Sequence, residues 1–379
     1  MLDRRRLLLG AAALAAGTAS TRAATTLAHS LAWETAASAE TGFVPDFEAR
    51  LDQFVRSGIG NLHGVVIARH GRLVLEKYYE GEDMLRDGRG GVYPELVKFS
   101  AERLHEVRSI TKSMVSLLYG IALRDGKVPS PDAPLLAQFP QYADIADREQ
   151  RSRWTIAHAL TMTLGIEWNE DISYDDPRNG QTAMEAASDR YRYVLERPIV
   201  SAAGARWNYC GGATALIGKI LENGTGQKAH DYARAMLFDP LGLAPTAWRI
   251  SRDRELNFPS GLAMRPRDLA RIGQLLVDRG KAGAQQLVPA DWLDASFKPA
   301  ASIRERREYG YHWYLGKFNA ASGPFSERWI AAHGNGDQRL FVFPGLELVA
   351  VVTAGNYNSR DQGNLPIRVM TELVMPNLR

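Results

Sequence analysis

The chain has 379 residues, of which 45% are hydrophobic and 23% charged, a balance typical of a globular protein with a sizeable core. The formal net charge is +3, and residues 1–23 account for all of it because four arginines there outweigh one aspartate. The rest of the chain has no net excess of positive charge, which argues against nucleic-acid binding. Cys210 is the single cysteine, so the chain forms no intramolecular disulfide and no cysteine-rich zinc site.

The N-terminus has the pattern of an export signal. Three consecutive arginines precede an uncharged, alanine-rich stretch of 15 residues from Leu7 to Thr21, which is shorter than the ~20 residues that a membrane-spanning helix needs. We therefore expect residues 1–23 to be a signal peptide and residues 24–59 to be an N-terminal segment, with no stable membrane anchor. Arginines ahead of leucines also resemble a twin-arginine leader, which predicts a periplasmic or secreted protein.

The first half of the chain contains a predicted hairpin and a predicted helix. Short β-rich runs at Val65–Arg69 and Leu73–Tyr79 flank a His-Gly turn and predict two antiparallel strands. Residues 80–101 are rich in glycine and mixed charge and predict a surface connection. From Ser109 to Leu123 the apolar residues recur at helical spacing, and Asp125-Gly126 ends the pattern.

The remaining elements predict the fold class. From about residue 129 to 225, short helical patches alternate with Pro- and Gly-rich loops, which indicates a mostly helical insertion. Gly310–Leu315, Arg339–Phe343 and Leu348–Thr353 have the pattern of strands, and Leu365–Val374 that of a closing helix. We therefore predict an α+β fold in which helices flank an antiparallel sheet built from both termini, with a helical inserted subdomain.

Several common catalytic motifs are absent from the sequence. No serine lies in Gly-x-Ser-x-Gly, no Gly-Lys pair precedes Ser or Thr, and no His-Glu-x-x-His occurs. The eight histidines show no metal-ligand spacing. We therefore expect neither a metal nor another cofactor.

Ser109-Ile110-Thr111-Lys112 is the only Ser-x-x-Lys in the chain. Positions i and i+3 share one face of a helix, so the Ser109 hydroxyl and the Lys112 amine can meet. A lysine can take the proton of a serine nucleophile when burial or nearby positive charge lowers its pKa. Free N–H groups of the first helical turn could also form part of an oxyanion hole. The tetrapeptide alone also suits a helix-capping serine followed by an exposed lysine.

The context of this motif resembles a known superfamily. Val107–Ser113 is similar to the active-site helix of the serine β-lactamase and penicillin-binding protein superfamily, class C branch. Further stretches follow that branch in order, namely Trp154–Ile166, Gly204–Gly211, Leu237–Gly242, Arg267–Gly273 and Gly334–Gln338. The resemblance covers about residues 60–375, which we expect to form the hydrolase domain. Gly334–Gln338 and Thr353–Tyr357 are similar to the 6-aminohexanoate-dimer hydrolases and related esterases.

The resemblance implies roles for individual residues. Ser109 matches the nucleophile, and Lys112 and Tyr209 match the two proton carriers. A cation such as Lys112 beside the Tyr209 phenol would lower the phenol pKa and make it a usable base. The backbone N–H groups of Ser109 and Asn335 are the implied oxyanion hole.

Two departures from the family pattern concern the substrate. β-Lactamases usually have Asn two residues after the matched tyrosine, where this chain has Gly211. The third motif, Lys-Thr-Gly, is matched by Ala332-His333-Gly334, unless a shift of register makes His333 the equivalent of the lysine. We therefore predict Gly211, His333 and Gly334 as substrate-binding positions. Two groups that recognise β-lactams, the asparagine amide and the third-motif lysine, are missing from them.

The expected function is an exported serine hydrolase that cleaves small esters or amides through an acyl-enzyme. Two alternatives stay open. One is a D-amino peptidase or weak β-lactamase acting on cell-wall-like substrates, and the other is a penicillin-binding-type sensor without turnover. The presence of both Ser109 and Lys112 favours an enzyme. The expected partner is a small-molecule ester or amide, and the sequence does not predict the oligomeric state.

Overall fold

Strand-forming segments near the two ends of the chain meet in one antiparallel sheet of eight strands. A computed structural model describes residues 33–86, 91–146, 150–304, 307–319 and 326–379. Within it, Thr35–Arg379 forms one unit. The predicted signal peptide lies outside the described residues.

The strands of the described residues are numbered in chain order. They are β1 (Leu62–Arg69), β2 (Arg72–Tyr78), β3 (Glu80–Arg86), β4 (Val92–Lys98), β5 (His105–Glu106), β6 (Ala247–Trp248), β7 (Leu262–Met264), β8 (Lys281–Ala282), β9 (Gln285–Gln286), β10 (Ala301–Arg304), β11 (Arg307–Tyr309), β12 (Tyr314–Asn319), β13 (Ser326–Gly334), β14 (Gln338–Phe343) and β15 (Leu348–Ala354).

The α-helices of the same residues are numbered likewise. They are α1 (Phe47–Arg56), α2 (Ile110–Arg124), α3 (Ala143–Ala146), α4 (Ile156–Leu160), α5 (Gly180–Ala186), α6 (Arg190–Leu195), α7 (Gly211–Thr225), α8 (Ala229–Ala233), α9 (Pro266–Val277), α10 (Ala290–Ser296) and α11 (Asn364–Arg368). Short π-helical turns extend α8 through Arg234–Phe238 and α11 through Val369–Val374. None of these helices is long and apolar enough to cross a membrane.

The main sheet has the order β10-β11-β12-β13-β14-β15-β1-β2. The N-terminal hairpin β1–β2 joins the C-terminal strands through β1 and β15, where Val66 lies opposite Val351. Strands β14 and β15 are buried along their whole length, and so is β1 up to Ala68. Helices cover both faces of these central strands, which explains why their sequences are almost continuously apolar. The predicted α+β fold with a sheet from both termini is confirmed.

The two faces of the sheet are covered by different parts of the chain. On one face, α1 and the C-terminal helical segment pack into a core that includes Phe47, Val65, Phe341 and Val369. Helix α9 packs on β1, β14 and β15, and α2 packs on β13 and β14. Helices α4, α5 and α6 pack against α7. The segment predicted as a helical insertion therefore reaches the sheet indirectly: its helix α7 packs on α2, and α2 packs on the sheet.

Two local predictions were wrong. Residues 80–101, predicted as a surface connection, contain the hairpin β3–β4. Val92, Tyr93 and Leu96 in this hairpin are 46%, 43% and 67% exposed. Its sequence therefore lacks the alternation of apolar and polar residues by which a strand is recognised. The strand predicted at Gly310–Leu315 begins only at Tyr314. His312 has a φ of 62° there, a left-handed conformation that interrupts an extended strand.

Gly273 allows α9 to approach the sheet closely. A Cβ atom at this position would lie 2.4 Å from Val349 Cγ1 and 2.9 Å from Leu340 Cδ1. In an exposed helix, Gly→Ala would stabilise the protein by about 1 kcal/mol. Here the contacts force side chains of the sheet to move, at a cost of about 1–3 kcal/mol.

We therefore expect Gly273→Ala to lower the free energy of unfolding, measured by urea denaturation. The higher helix propensity of alanine alone would raise this free energy. The sign of the change is the test. A more stable Gly273→Ala variant would contradict the tight packing of α9 on β14 and β15.

Candidate active site

A sharp turn between β5 and α2 positions Ser109. Arg108 has a φ of 51°, which turns the chain out of the strand direction and places Ser109 immediately before the first helical residue. The Val107 N–H donates to Leu262 O at 3.0 Å. The Thr111 hydroxyl donates to Arg108 O at 2.6 Å and accepts from the Leu262 N–H at 3.1 Å. The turn is therefore held from both sides by hydrogen bonds.

Lys112 lies one helical turn from Ser109 and is 2% exposed. Its Nζ donates to Ser109 Oγ at 3.2 Å and to Pro259 O at 3.0 Å. Burial lowers the pKa of Lys112 to about 8, although the negative charge of Glu170 acts in the opposite direction. A substantial fraction of this amine is therefore neutral near pH 8, as a base for the Ser109 proton requires.

Tyr209 covers the other side of the Lys112 amine. Lys112 Nζ lies 4.7 Å from the centre of the Tyr209 ring. Burial, reinforced by Glu170, raises the pKa of the Tyr209 phenol, and a hydrogen bond with Ser109 only partly opposes this effect. The expected lowering of this pKa by Lys112 is therefore wrong. A phenol with a raised pKa stays protonated, so its chemistry here is proton donation or relay.

Glu170 is a polar component of the site that the sequence did not single out. Its carboxylate accepts hydrogen bonds from Trp168 Nε1 at 2.6 Å, from the Tyr174 hydroxyl at 2.9 Å and from the backbone N–H of Gly211. Its charge raises the pKa of Lys112. No motif marks this residue, because it lies in an irregular loop and is one of 43 acidic residues in the chain.

Gly211 begins α7 just beyond Cys210, and the ends of two neighbouring side chains crowd the place that a Cβ atom would take. A Cβ atom there would lie 2.9 Å from both Gln181 Oε1 and Glu170 Oε1. The Gly211 N–H is already bound to the Glu170 carboxylate. At the position predicted for substrate binding, the Gln181 and Glu170 side chains would therefore have to move to admit a larger residue.

The end of the β13–β14 hairpin lies against the turn that carries Ser109. A Cβ atom at Gly334 would lie 2.4 Å from Val107 O and 3.1 Å from Arg108 Cβ, so only glycine permits this approach. Asn335 follows directly in the turn, where its amide Nδ2 donates to Asn358 Oδ1 at 3.0 Å. Among the described residues, the backbone N–H groups of Ser109 and Asn335 donate no hydrogen bond. Donors of an oxyanion hole must be free in this way to bind the substrate oxygen.

The remaining positions of the third motif do not supply an exposed cation. Ala332 is buried, and the ring of half-buried His333 stacks on Tyr314 at 3.9 Å. Burial lowers the pKa of His333, which keeps the ring neutral. The neighbouring strand provides Arg339, whose pKa burial lowers to about 10, so the guanidinium stays charged at neutral pH. Its charge acts on the Tyr209 phenol.

The structure thus brings together Ser109, Lys112 and Tyr209, with Gly334 and Asn335 at one edge. It places Gly211 behind the Glu170 carboxylate. The three-residue cluster contains a serine hydroxyl, a partly neutral amine and a protonated phenol, which together can move the proton of a serine nucleophile.

The pH dependence of Ser109 reactivity tests the assignment of Lys112 as base. Because the neutral amine is the active form, the rate of labelling by a serine-reactive phosphonate should rise with pH, with a midpoint near the Lys112 pKa of about 8, and level off roughly one pH unit higher. Lys112→Arg should abolish this profile and nearly all labelling, since a guanidinium does not deprotonate. Labelling is followed by intact mass.

Two further variants serve as controls on this profile. Tyr209→Phe should lower the rate but keep the midpoint. Glu170→Gln should move the midpoint to lower pH, because it removes a negative charge that raises the pKa of Lys112. An unchanged profile in Lys112→Arg would show that the base lies elsewhere.

Comparison with known proteins agrees with this geometry. The profile of the Beta-lactamase family matches residues 47–369. A 6-aminohexanoate-dimer hydrolase of Paenarthrobacter ureafaciens is 23% identical over 265 residues, which cover 66% of this chain and 59% of that relative. The chain therefore matches about three fifths of the relative's length.

Two solved structures show the same fold. Unliganded simvastatin synthase (LovD) of Aspergillus terreus has a TM-score of 0.63 and 17% identity, with 86% of this chain and 96% of that chain covered. EstCE1, a hydrolase with promiscuous acyltransferase activity, has a TM-score of 0.64 and 15% identity, with 90% and 98% covered. Because the family profile spans most of the sequence, the predicted membership is confirmed: this chain belongs to the Beta-lactamase family and has the fold of its serine hydrolases.

Proposed function

We propose that this protein is an exported serine hydrolase that cleaves small esters or amides through an acyl-enzyme on Ser109. The observation that carries the proposal is the buried Lys112 amine, 3.2 Å from Ser109 Oγ, with its pKa lowered to about 8. An exposed lysine would be fully protonated at neutral pH. Export is inferred from the leader sequence alone.

In the acylation step, Ser109 Oγ forms a bond to the substrate carbonyl carbon while its proton passes to the neutral Lys112 amine. The carbonyl oxygen gains the negative charge, which the N–H groups of Ser109 and Asn335 stabilise. When the tetrahedral intermediate collapses, the bond to the leaving alcohol or amine breaks. The leaving group takes a proton from the Tyr209 hydroxyl, which Lys112 then reprotonates.

In the deacylation step, water attacks the acyl carbon and the same groups act in reverse. Lys112 receives the proton of the water, through Tyr209, and Ser109 Oγ leaves with a proton. The acid product is released and the starting protonation states return. No group outside Ser109, Lys112 and Tyr209 is needed to balance the protons.

Aromatic side chains extend from Tyr209 and favour a small organic acyl or leaving group. Trp207 lies 6.0 Å from Tyr209 and 5.7 Å from Tyr309, and Tyr309 lies 5.0 Å from Tyr314 between ring centres. Such a cluster suits apolar chains. The name of the Paenarthrobacter relative, a 6-aminohexanoate-dimer hydrolase, suggests linear amides as a second substrate class.

Arg339 gives the first alternative specific support. A D-amino peptidase or weak β-lactamase must bind a substrate carboxylate, and the third motif has no lysine. Arg339 is 7% exposed as a residue, and its guanidinium is within electrostatic range of Tyr209. Ester cleavage stays the leading proposal because Gly211 has no side-chain amide to bind the acylamide group of a β-lactam.

Ser109→Ala tests the nucleophile. The variant should lose phosphonate labelling and several orders of magnitude in p-nitrophenyl ester hydrolysis. Ser113→Ala is a matched control one turn further along the same helix, where the hydroxyl donates to His312 O at 2.7 Å, and it should still be labelled. Wild-type labelling of Ser109→Ala would refute the proposal. A lasting adduct of the wild type with an ester substrate would instead indicate the sensor without turnover.

The substrate class is tested by a panel of p-nitrophenyl esters, linear amide dimers, D-amino-acid anilides and a chromogenic cephalosporin. We expect kcat/KM for the best short-chain ester to exceed that for the cephalosporin by at least ~100-fold, since two polar contacts of ~1.5 kcal/mol each are missing. Arg339→Met should leave ester hydrolysis less affected than any cephalosporin turnover. A cephalosporin value equal to the ester value would overturn the substrate class.

A further inference from the structure

A second cluster of chemically active side chains lies behind the turn that carries Ser109. His63 on β1, Asp83 on β3 and His105 on β5 each offer one ligand atom, and these atoms all lie within 4.8 Å of one another. His63 and His105 are 0% and 2% exposed, and Asp83 is half-buried. The cluster has no role in the steps proposed above.

The hydrogen bonds of the two histidines determine where their protons are. His63 Nε2 lies 3.0 Å from Glu82 O, and His105 Nδ1 lies 3.0 Å from Glu106 O. A carbonyl oxygen can only accept, so both of these outer nitrogens carry hydrogen. In two neutral rings, the inner nitrogens are then both unprotonated, yet His63 Nδ1 and His105 Nε2 face each other at 2.8 Å. Two lone pairs at this distance repel each other, so a cation must lie between them, either a proton or a metal ion.

The surroundings match those of a metal-binding histidine pair. Metal-ligating histidines commonly donate their other N–H to a carbonyl or carboxylate, which fixes the ring, and here both rings do so. Phe99 stacks on His63 at 3.9 Å between ring centres. Asp83 Oδ1 is held by the Tyr357 hydroxyl at 2.8 Å and the Met84 N–H at 2.9 Å. Within the described chain, no donor bonds Asp83 Oδ2, which leaves it for a cation.

We propose that His63, Asp83 and His105 bind one divalent transition-metal ion, for which Zn²⁺ is the probe. Two imidazoles and one carboxylate are a typical set for Zn²⁺ or another divalent ion of this class, and a water completes a tetrahedron. With Zn–N bonds of about 2.0–2.1 Å, tetrahedral ligation needs the facing nitrogens to move apart by about half an ångström. The sequence predicted no metal because Asp83 and His105 lie 20 and 42 residues from His63, a separation that matches no short metal-binding motif.

The position of the cluster gives the metal a positioning role. His105 is four residues before Ser109, in the strand that leads into its turn. On the other side, Tyr357 donates to Asp83 and packs on Gly336, where a Cβ atom would lie 2.3 Å from Tyr357 Cδ1. Gly336 adjoins Asn335. The ion would therefore fix both backbone segments of the proposed oxyanion hole. Its effect on the reaction rate rests on the proposed function, but metal binding itself does not.

The test is Zn²⁺ binding to the untagged full chain after treatment with EDTA, measured by isothermal titration calorimetry. We expect one Zn²⁺ per chain and a higher melting temperature with Zn²⁺. His63→Gln and His105→Gln should each weaken binding by at least ~100-fold. His230→Gln, a half-buried histidine bonded to Thr246 Oγ1 at 2.9 Å, is the matched control and should bind as the wild type does. Co²⁺ should give the visible absorption of a tetrahedral site.

Asp83→Asn covers the case in which a histidine variant does not fold, because it keeps an oxygen for the Tyr357 hydroxyl while removing the charged ligand. It should fold and bind Zn²⁺ more weakly. Equal binding by the wild type and the folded variants, or no binding at all, would overturn the proposal. So would ring ¹⁵N NMR showing one proton shared between His63 and His105 that Zn²⁺ does not displace. Ser109→Ala should bind Zn²⁺ normally, so failure of the hydrolase proposal and failure of the metal site are distinguishable.

Discussion

The buried amine of Lys112 determines the chemistry that the candidate active site can perform. Lys112 lies in a helix that is buried from Ile110 to Ala122, so its ammonium cannot reach bulk water. Burying such a charge is costly unless it finds acceptors or loses its proton. The fold supplies two oxygen acceptors, Ser109 Oγ and Pro259 O, and the remaining cost shifts the amine toward its neutral form.

This environment requires both parts of the molecule. The sheet contributes Gly334 and Asn335 at the end of its β13–β14 hairpin, and the helical insertion contributes Glu170 and Tyr209 on the opposite side. Helix α2 packs on the sheet and on α7 of the insertion. The burial of Lys112 therefore depends on how α2 packs between the sheet and the insertion.

Local patterns in the sequence predicted those parts that local physics determines. The start of α2 at Ser109 and the β1–β2 hairpin follow from the spacing of apolar residues and from turn residues. The pairing of β1 with β15 was predicted only as a sheet built from both termini, without its register. The raised pKa of Tyr209 was not predicted, because it results from burial that the complete fold produces.

Contacts between distant segments were not visible in the sequence. Glu170 acquires its importance from hydrogen bonds to Trp168, Tyr174 and Gly211, of which only Trp168 and Tyr174 are close in sequence. His63 and His105 meet because β1 and β5 are adjacent in space, and spacing rules for metal ligands assume neighbours on one helix or loop. The hairpin β3–β4 was missed because several of its apolar side chains, Val92, Tyr93 and Leu96 among them, are exposed.

The crowding around Gly211 also limits which substitutions this position accepts without rearrangement. An asparagine there, as β-lactamases have, would collide with the Glu170 and Gln181 side chains, and shortening either neighbour first would remove hydrogen bonds to Gly211 or Ser260. A larger residue at Gly211 therefore requires a neighbour to move that already has hydrogen-bond partners. The third motif, Ala332-His333-Gly334, also lacks a lysine, so a change at Gly211 alone would restore only one of the two groups that β-lactam recognition needs.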